Sequence, residues 1–380
     1  MGMGGIQRVY NIPRNLKKIG WDINVYTPYP PSGYPRGENL PSEDNLNVIR
    51  FFSPDPLHLL PGSVSKPGSG KRDYLSFPDN KVPCLPFLWK NLKTADVVVT
   101  SSPPFSLLLT GFKIKNTPWV IDYRDPWTGS YLGRYLFRWE ENLAKAVEKY
   151  CIHKSSAVVT VTEKIMEYLT HQYPEDREKI HLIRNGYDGD DFPKSFKREK
   201  DNNTVITYMG TFNNLVTPDL IFEAFRELFK IKPDIKDNIV FKHIGYSSVG
   251  GLDRRANKVE LKKFISTGYL PHKEALSELM DSDILLLLGG KRDEGNWIVT
   301  GKIYEYLRSG LPIVAVTNNK EIQNLVNSSG LIIDFEPESI ARGILKVILN
   351  PDSFKPVSNY KDYSWENLSR KYANLLSSVL

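Results

Sequence analysis

Short β-branched runs alternate with helical patterns along almost the whole chain, and this alternation constrains the fold more than any other feature of the sequence. Strand, helix, parallel strand is the repeating unit of α/β sheets, which need helices to cover both faces. In the first half the predicted strands are Ile23 to Thr27, Val48 to Phe52, Val97 to Thr100, Trp119 to Asp122, Ala157 to Thr162 and Ile180 to Ile183. The second half continues with Thr204 to Tyr208, Ile239 to Ile244, Ile284 to Leu288, Pro312 to Val316 and Leu331 to Ile333, separated by helices near 217–230, 272–281, 302–309 and 336–349.

The 380 residues exceed the roughly 250–300 at which single cores stop growing, so two domains are expected. Residues 188–203 are polar, charged and without apolar periodicity, and read as a linker between a domain over 1–187 and another over 204–363. Ligands of open α/β sheets bind outside the carboxyl ends of the strands, so two facing sheets would enclose a central cleft. The Pro- and Gly-rich region from Pro54 to Pro86 reads as a long loop over that cleft.

An apolar fraction of 41% and a charged fraction of 25% are ordinary for a soluble globular protein. Cys84 and Cys151 are the only cysteines, no secretory signal is present, and no apolar run approaches the roughly 18 residues of a membrane span, so a reducing cytoplasm fits. Without a Cys/His cluster at ligand spacing, no structural zinc is expected. Residues 1–200 hold 28 Lys and Arg against 22 Asp and Glu, which accounts for the entire net charge of +6, while residues 201–380 balance at 22 each. The basic half mixes aromatic and cationic residues in Pro86 to Lys93 and in Tyr131 to Trp139. Such stretches suit an anionic membrane surface, or else are core edges with solvated charges. A charge this dilute, with no recognisable binding module, argues against nucleic acid.

The stretch Gly301 to Val316 reads as a helix start, a cation and a carboxylate three residues apart, a Gly stop at Gly310 and a buried strand. A helix N-terminus with its unpaired N–H groups suits a diphosphate, to which Lys302 adds a charge. Glu305, one turn along the same face, can accept hydrogen bonds from a ribose diol. The competing reading is a surface Lys–Glu pair. Gly4-Gly5-Ile6-Gln7-Arg8 opens a helix whose glycines allow close approach of a ligand. Asp122-Tyr123-Arg124-Asp125 follows a strand, and its two carboxylates either position hydroxyls and accept a proton or form a structural ion pair with Arg124. Tyr208-Met209-Gly210-Thr211 leaves its strand through a glycine, and Gly268-Tyr269-Leu270-Pro271-His272 can receive a nucleobase on backbone groups, with His272 as a helix-start residue.

In their order and spacing these motifs resemble the retaining GT-B glycosyltransferases of the family 4 type. Gly4 to Val9 resembles that family's first glycine loop, Asn24 to Thr27 its following strand, Val159 to Glu163 a Thr-ended strand, Asn185-Gly186-Tyr187-Asp188 its Asn-Gly-x-Asp segment, and Ser364 to Leu368 the start of its C-terminal helix. The resemblance implies two Rossmann-like domains facing a central cleft, with residues 364–380 packing back on the first. It also implies transfer of a hexose from a nucleotide sugar, with retention and without a metal, to a glycan, lipid-linked or small-molecule acceptor. Gly5, Gly210, Thr211, Tyr269, Leu270, Thr300, Gly301, Lys302 and Glu305 would then bind the donor, and Asp125, with Asp122 and Arg124, would orient the acceptor hydroxyl. A cytoplasmic enzyme able to sit peripherally on the inner face of the membrane is the expectation. Two other readings stay open: a GT-B sugar-nucleotide epimerase, and a catalytically silent nucleotide-sugar-binding protein.

The chain departs from that family at three places. Trp297 stands where a first glutamate is common, which resembles a Lys-x-x-Glu subgroup. The Arg and Lys usual after the first strand of the second domain are missing from Gly210 to Thr217, leaving neutralisation to Lys302 with Lys291 or Arg292. No strand precedes Gly4, so the chain is expected to be shortened relative to its natural start.

Overall fold

The computed structural model describes residues 4–29, 46–53, 81–92, 95–129, 135, 137–194, 201–213, 216–289 and 297–380. It divides into two compact units, one running up to Asn185 and completed by Trp365–Leu380, the other Gly186–Ser364.

The first unit contains α1 (Gly4–Lys18), β1 (Asn24–Pro28), β2 (Asn47–Phe51), α2 (Leu85–Asn91), β3 (Val98–Ser102), β4 (Trp119–Tyr123), α3 (Arg138–Lys154), β5 (Ala157–Thr160), α4 (Glu163–Gln172) and β6 (Ile180–Leu182). Its strands form two parallel sheets, a pair β1-β2 and a four-stranded sheet in the order β3-β4-β5-β6. Every residue of the interior strand β4 is buried, as expected where helices cover both faces of a parallel sheet. Strand β5 stops at Thr160 rather than Thr162, because the Thr162 hydroxyl turns to accept a 3.2 Å hydrogen bond from Ile165 N and caps α4.

In the second unit the order is β7 (Thr204–Met209), α5 (Asp219–Ile231), β8 (Ile239–Ile244), α6 (Leu252–Lys258), β9 (Lys263–Ser266), α7 (His272–Met280), β10 (Ile284–Leu288), α8 (Lys302–Ser309), β11 (Ile313–Val316), α9 (Lys320–Val326), β12 (Gly330–Ile333) and α10 (Pro337–Leu349). The six strands lie in one parallel sheet ordered β12-β11-β10-β7-β8-β9. Phe222, Phe225, Phe241 and Ile344 belong to the core on one face, Ile303, Tyr306 and Leu276 to that on the other. The final helix α11 (Trp365–Val379) belongs to the first unit, where Trp365, Leu368, Tyr372 and Leu376 share a core with Ile12 and Leu16 of α1.

Part of the segment read as linker is built into the second unit. Residues Gly189–Asp191 form a 3-10 turn capped by the Asp188 carboxylate, and Phe192 is buried edge-on against Tyr187. Residues 195–200 lie outside the described residues, as do 54–80 of the predicted long loop and everything before Gly4.

Candidate functional site

In the second unit, successive strands build outward from β7 in one direction to β9, and then restart on its other side at β10. Between β7 and β10 lies a topological switch point, where α/β sheets bind ligands outside the strand ends. Tyr306 of α8 pins that point: its hydroxyl accepts from Met209 N at 3.0 Å and donates to Leu286 O at 3.2 Å. The start of α8 is therefore held over the exit of β7. Gly310 stops the helix in the left-handed conformation, φ +72°, which a side chain would strain.

At that exit stands Gly210. Its N–H donates to Ile244 O at 2.8 Å, and His243 Nε2 donates to its carbonyl at 2.9 Å while His243 Nδ1 accepts from the Ser266 hydroxyl at 3.0 Å. Burial lowers the His243 pKa, against the pull of that carbonyl. A Cβ on Gly210 would displace the Lys302 ammonium and the Tyr208 hydroxyl, so glycine here leaves room for this lysine.

Lys302 occupies the first turn of α8, which no side chain caps. Its ammonium lies 5.4 Å from the centroid of the Tyr208 ring and, among the described residues, has no ion-pair or hydrogen-bond partner. Burial pulls its pKa down to about 8, only partly opposed by the Glu305 charge. A half-buried cation with no counter-ion among the described residues, in the first turn of a helix, suits an anionic ligand.

Glu305 does not pair with Lys302. Its carboxylate instead accepts a 2.8 Å hydrogen bond from His272 Nε2, and His272 Nδ1 faces Asp191 Oδ2 at 2.8 Å. Burial alone would lower the His272 pKa, but the two carboxylates outweigh it and hold the imidazolium up to about 10. The predicted surface Lys–Glu pair is therefore absent, and the predicted helix-start residue His272 has a second task. Just before His272, Tyr269 is 52% exposed and Leu270 packs on the core, after a backbone bridge between Gly245 and Gly268. Thr300 is half-buried and accepts from Ile303 N at 3.2 Å at the start of α8, and Thr211 is half-buried beyond Gly210. Lys291 and Arg292 lie outside the described residues.

In the first unit the two candidate carboxylates separate. Asp122 is buried and bound by Arg8, with Nη2 at 2.7 Å from Oδ1 and Nε at 3.0 and 3.1 Å from the two oxygens, and Ser101 donates to Oδ2 at 2.8 Å. Arg8 Nη1 also donates to the carbonyls of Ile183 and Arg184, each at 2.9 Å. Asp122 thus anchors α1 to the strand ends, and the ion pair expected within the motif is made with Arg8 rather than Arg124. Arg124 donates instead to the carbonyl of Pro103. Asp125 is half-buried, makes no hydrogen bond among the described residues, and is pushed above the usual carboxylate range by burial, against the Arg124 charge. The loop carrying it is clamped by buried Glu148, which accepts from Tyr123, from the Thr128 hydroxyl and N–H, and from Tyr173 at 2.7 Å. Gly5 lies in the first turn of α1.

Residues 3–191 match the family Glycosyltransferase Family 4, and residues 190–364 match Glycosyl transferases group 1. The chain belongs to the group 1 glycosyltransferases. Its two parallel-sheet units form the GT-B fold, and similar solved structures include a glycosyltransferase from Rickettsia africae (16% identity, 99% of this chain and 95% of that one, TM-score 0.67). Sucrose-phosphate synthase from Thermosynechococcus elongatus is also similar (14% identity, 98% and 92% covered, TM-score 0.64), as is Anabaena HepE in complex with UDP-glucose (13%, 88% and 87%, TM-score 0.58). No curated protein matches the sequence. In this glycosyltransferase the structure gathers Gly210, Lys302 and Glu305 around the start of α8, and adds His272, Asp191 and His243, which sequence reasoning did not place in the site.

Proposed function

We propose that this glycosyltransferase takes a hexose from a nucleotide sugar and passes it, with retention, to a hydroxyl of a glycan or lipid-linked acceptor. The observation that carries the reading is Lys302: a half-buried ammonium that has no counter-ion among the described residues, at the start of α8 and over the switch point of the sheet. Leaving-group diphosphate would supply the missing charge, and the positive end of the α8 dipole would add to its stabilisation, so the proposal needs no metal. Glu305 would accept from the ribose hydroxyls, and backbone groups near Tyr269 and Leu270 would meet the base. In a same-face substitution the C1–O bond to the diphosphate breaks as the acceptor oxygen joins C1 from the same side, and the hydroxyl proton passes to the departing diphosphate oxygen.

Asp125 is the group proposed to orient the acceptor hydroxyl, since its carboxylate is open whereas that of Asp122 is taken by Arg8. Membership of a transferase family favours this reading over an epimerase. A thermal-shift screen against UDP, GDP, ADP and their sugars tests it, beginning with UDP-glucose because Anabaena HepE holds it. A ligand at about 100 times its Kd stabilises by roughly 2.7 kcal/mol, so a nucleotide match raises Tm; no shift with any nucleotide counts against the proposal.

A further inference from the structure

Of the two basic, aromatic stretches of the first unit, Tyr131–Arg134 and Leu136 of the second lie outside the described residues. In the first, half-buried Phe87 of α2 stacks on Phe51 at 4.7 Å between ring centroids. Trp139, at the start of α3, is instead 55% exposed. It begins a stripe in which Leu143 is 42% and Tyr150 40% exposed, at i, i+4 and i+11 of one helix face, and Phe112, 46% exposed, extends the stripe by stacking on Tyr150 at 4.4 Å. The opposite face of α3 is fully engaged in the core through Ala144, Val147, Cys151 and Ile152. So the stripe is not a core surface that has slipped outward. Arg138, Lys145 and Lys149 are exposed around it, and the Lys154 ammonium lies 5.6 Å from the Tyr150 centroid. Glu141, the half-exposed acid of this helix, is tied to Lys145 at 2.6 Å.

We propose that this face of α3, with Phe112, is a docking surface for an anionic lipid bilayer, on which the helix lies in the interfacial plane. Trp and Tyr seat at the headgroup boundary, Leu and Phe enter the acyl edge, and flanking Lys and Arg pair with anionic lipid; the stripe combines all three in one helix. A second copy is a poorer occupant: a two-fold contact would set each basic rim against its own equivalent. Among the described residues no helix is long and apolar enough to cross a membrane, and this surface attachment requires none.

Co-sedimentation of the full chain with phosphatidylcholine vesicles, with and without phosphatidylglycerol, tests the proposal. The protein is expected to pellet with the anionic vesicles, less so as salt rises. Lys145→Gln with Lys149→Gln should weaken partitioning roughly 30-fold, about fivefold for each lysine withdrawn from the surface. Trp139→Ser with Leu143→Ser should also release the protein, whereas Lys258→Gln with Lys346→Gln, exposed lysines of the second unit, should leave binding unchanged. All three pairs are solvent-facing, so unchanged thermal unfolding verifies that each variant is folded. Absence of vesicle binding by the parent chain, or equal binding by all variants, overturns the proposal. So does a protein that ignores vesicles but forms a dimer dissolved by Trp139→Ser with Leu143→Ser, since the face would then be a protein interface.

Discussion

His272 Nε2 holds the Glu305 carboxylate at 2.8 Å, and this contact joins α7, which begins at His272, to α8, which begins at Lys302. It turns a carboxylate that could have neutralised Lys302 toward a different cation. In the proposed donor site the lysine is then left for the diphosphate, and one Glu305 oxygen for a ribose hydroxyl.

Glu305→Ala should therefore weaken nucleotide binding by roughly tenfold to a hundredfold, the loss of charge-assisted hydrogen bonds worth about 1.5–3 kcal/mol each. The same variant should lose the parent's preference for a ribonucleotide over its 2′-deoxy form. His272→Ala should narrow that preference as well, and His272→Gln, which keeps one donor, should restore part of it. Titration calorimetry with paired ribo- and deoxyribonucleotides measures this; an unchanged preference in Glu305→Ala removes the ribose assignment.

Raising the pH should weaken diphosphate binding through Lys302. Burial holds its pKa at about 8 in the free protein, and an anion bound beside it would raise that value. Above pH 8 binding must then take up a proton, so Kd should rise by up to about tenfold per pH unit, while below 8 the charge is already present. Lys302→Ala should show no such slope. A parent Kd that stays flat from pH 7 to 9 would contradict it.

Asp125→Asn should slow transfer by at least about 100-fold while nucleotide affinity stays within about twofold, as expected for a group that meets only the acceptor. Initial-rate kinetics and nucleotide titration on the same folded variant separate the two. Full activity would remove Asp125 from the mechanism.

Arg8→Met should destabilise the first unit by about 3–5 kcal/mol, because Asp122 would stay buried without its cation. Arg8→Met combined with Asp122→Leu should cost less than the two single changes added together, since neither charge is then stranded. Denaturant unfolding gives the comparison. Simple additivity would show that the pair does not act as a unit.

Features set by local pattern were legible in the sequence. Strands such as Ile313–Val316 and Trp119–Tyr123 are wholly buried, so each appears as an apolar run. The limits of α8 were equally plain, because a residue pattern and the left-handed Gly310 mark them. Strand β9 escaped notice because it is a sheet edge whose Lys263, Ile265 and Ser266 are exposed, leaving no apolar signature. Contacts between distant residues were the other blind spot. Arg8 meets Asp122 across 114 positions, and His272 meets Asp191 across 81, distances over which periodicity carries no information. For that reason Asp122 read as a catalytic candidate and His272 as a mere helix start.

Calorimetric titration of the parent chain, Lys302→Ala and Glu305→Ala with the nucleoside monophosphate and diphosphate tests the central claim most directly. Glu305→Ala should weaken both ligands alike, since both carry the ribose, whereas Lys302→Ala should weaken the diphosphate more than the monophosphate. Equal losses in all four pairings, or none, would mean that the start of α8 is not where the donor diphosphate binds.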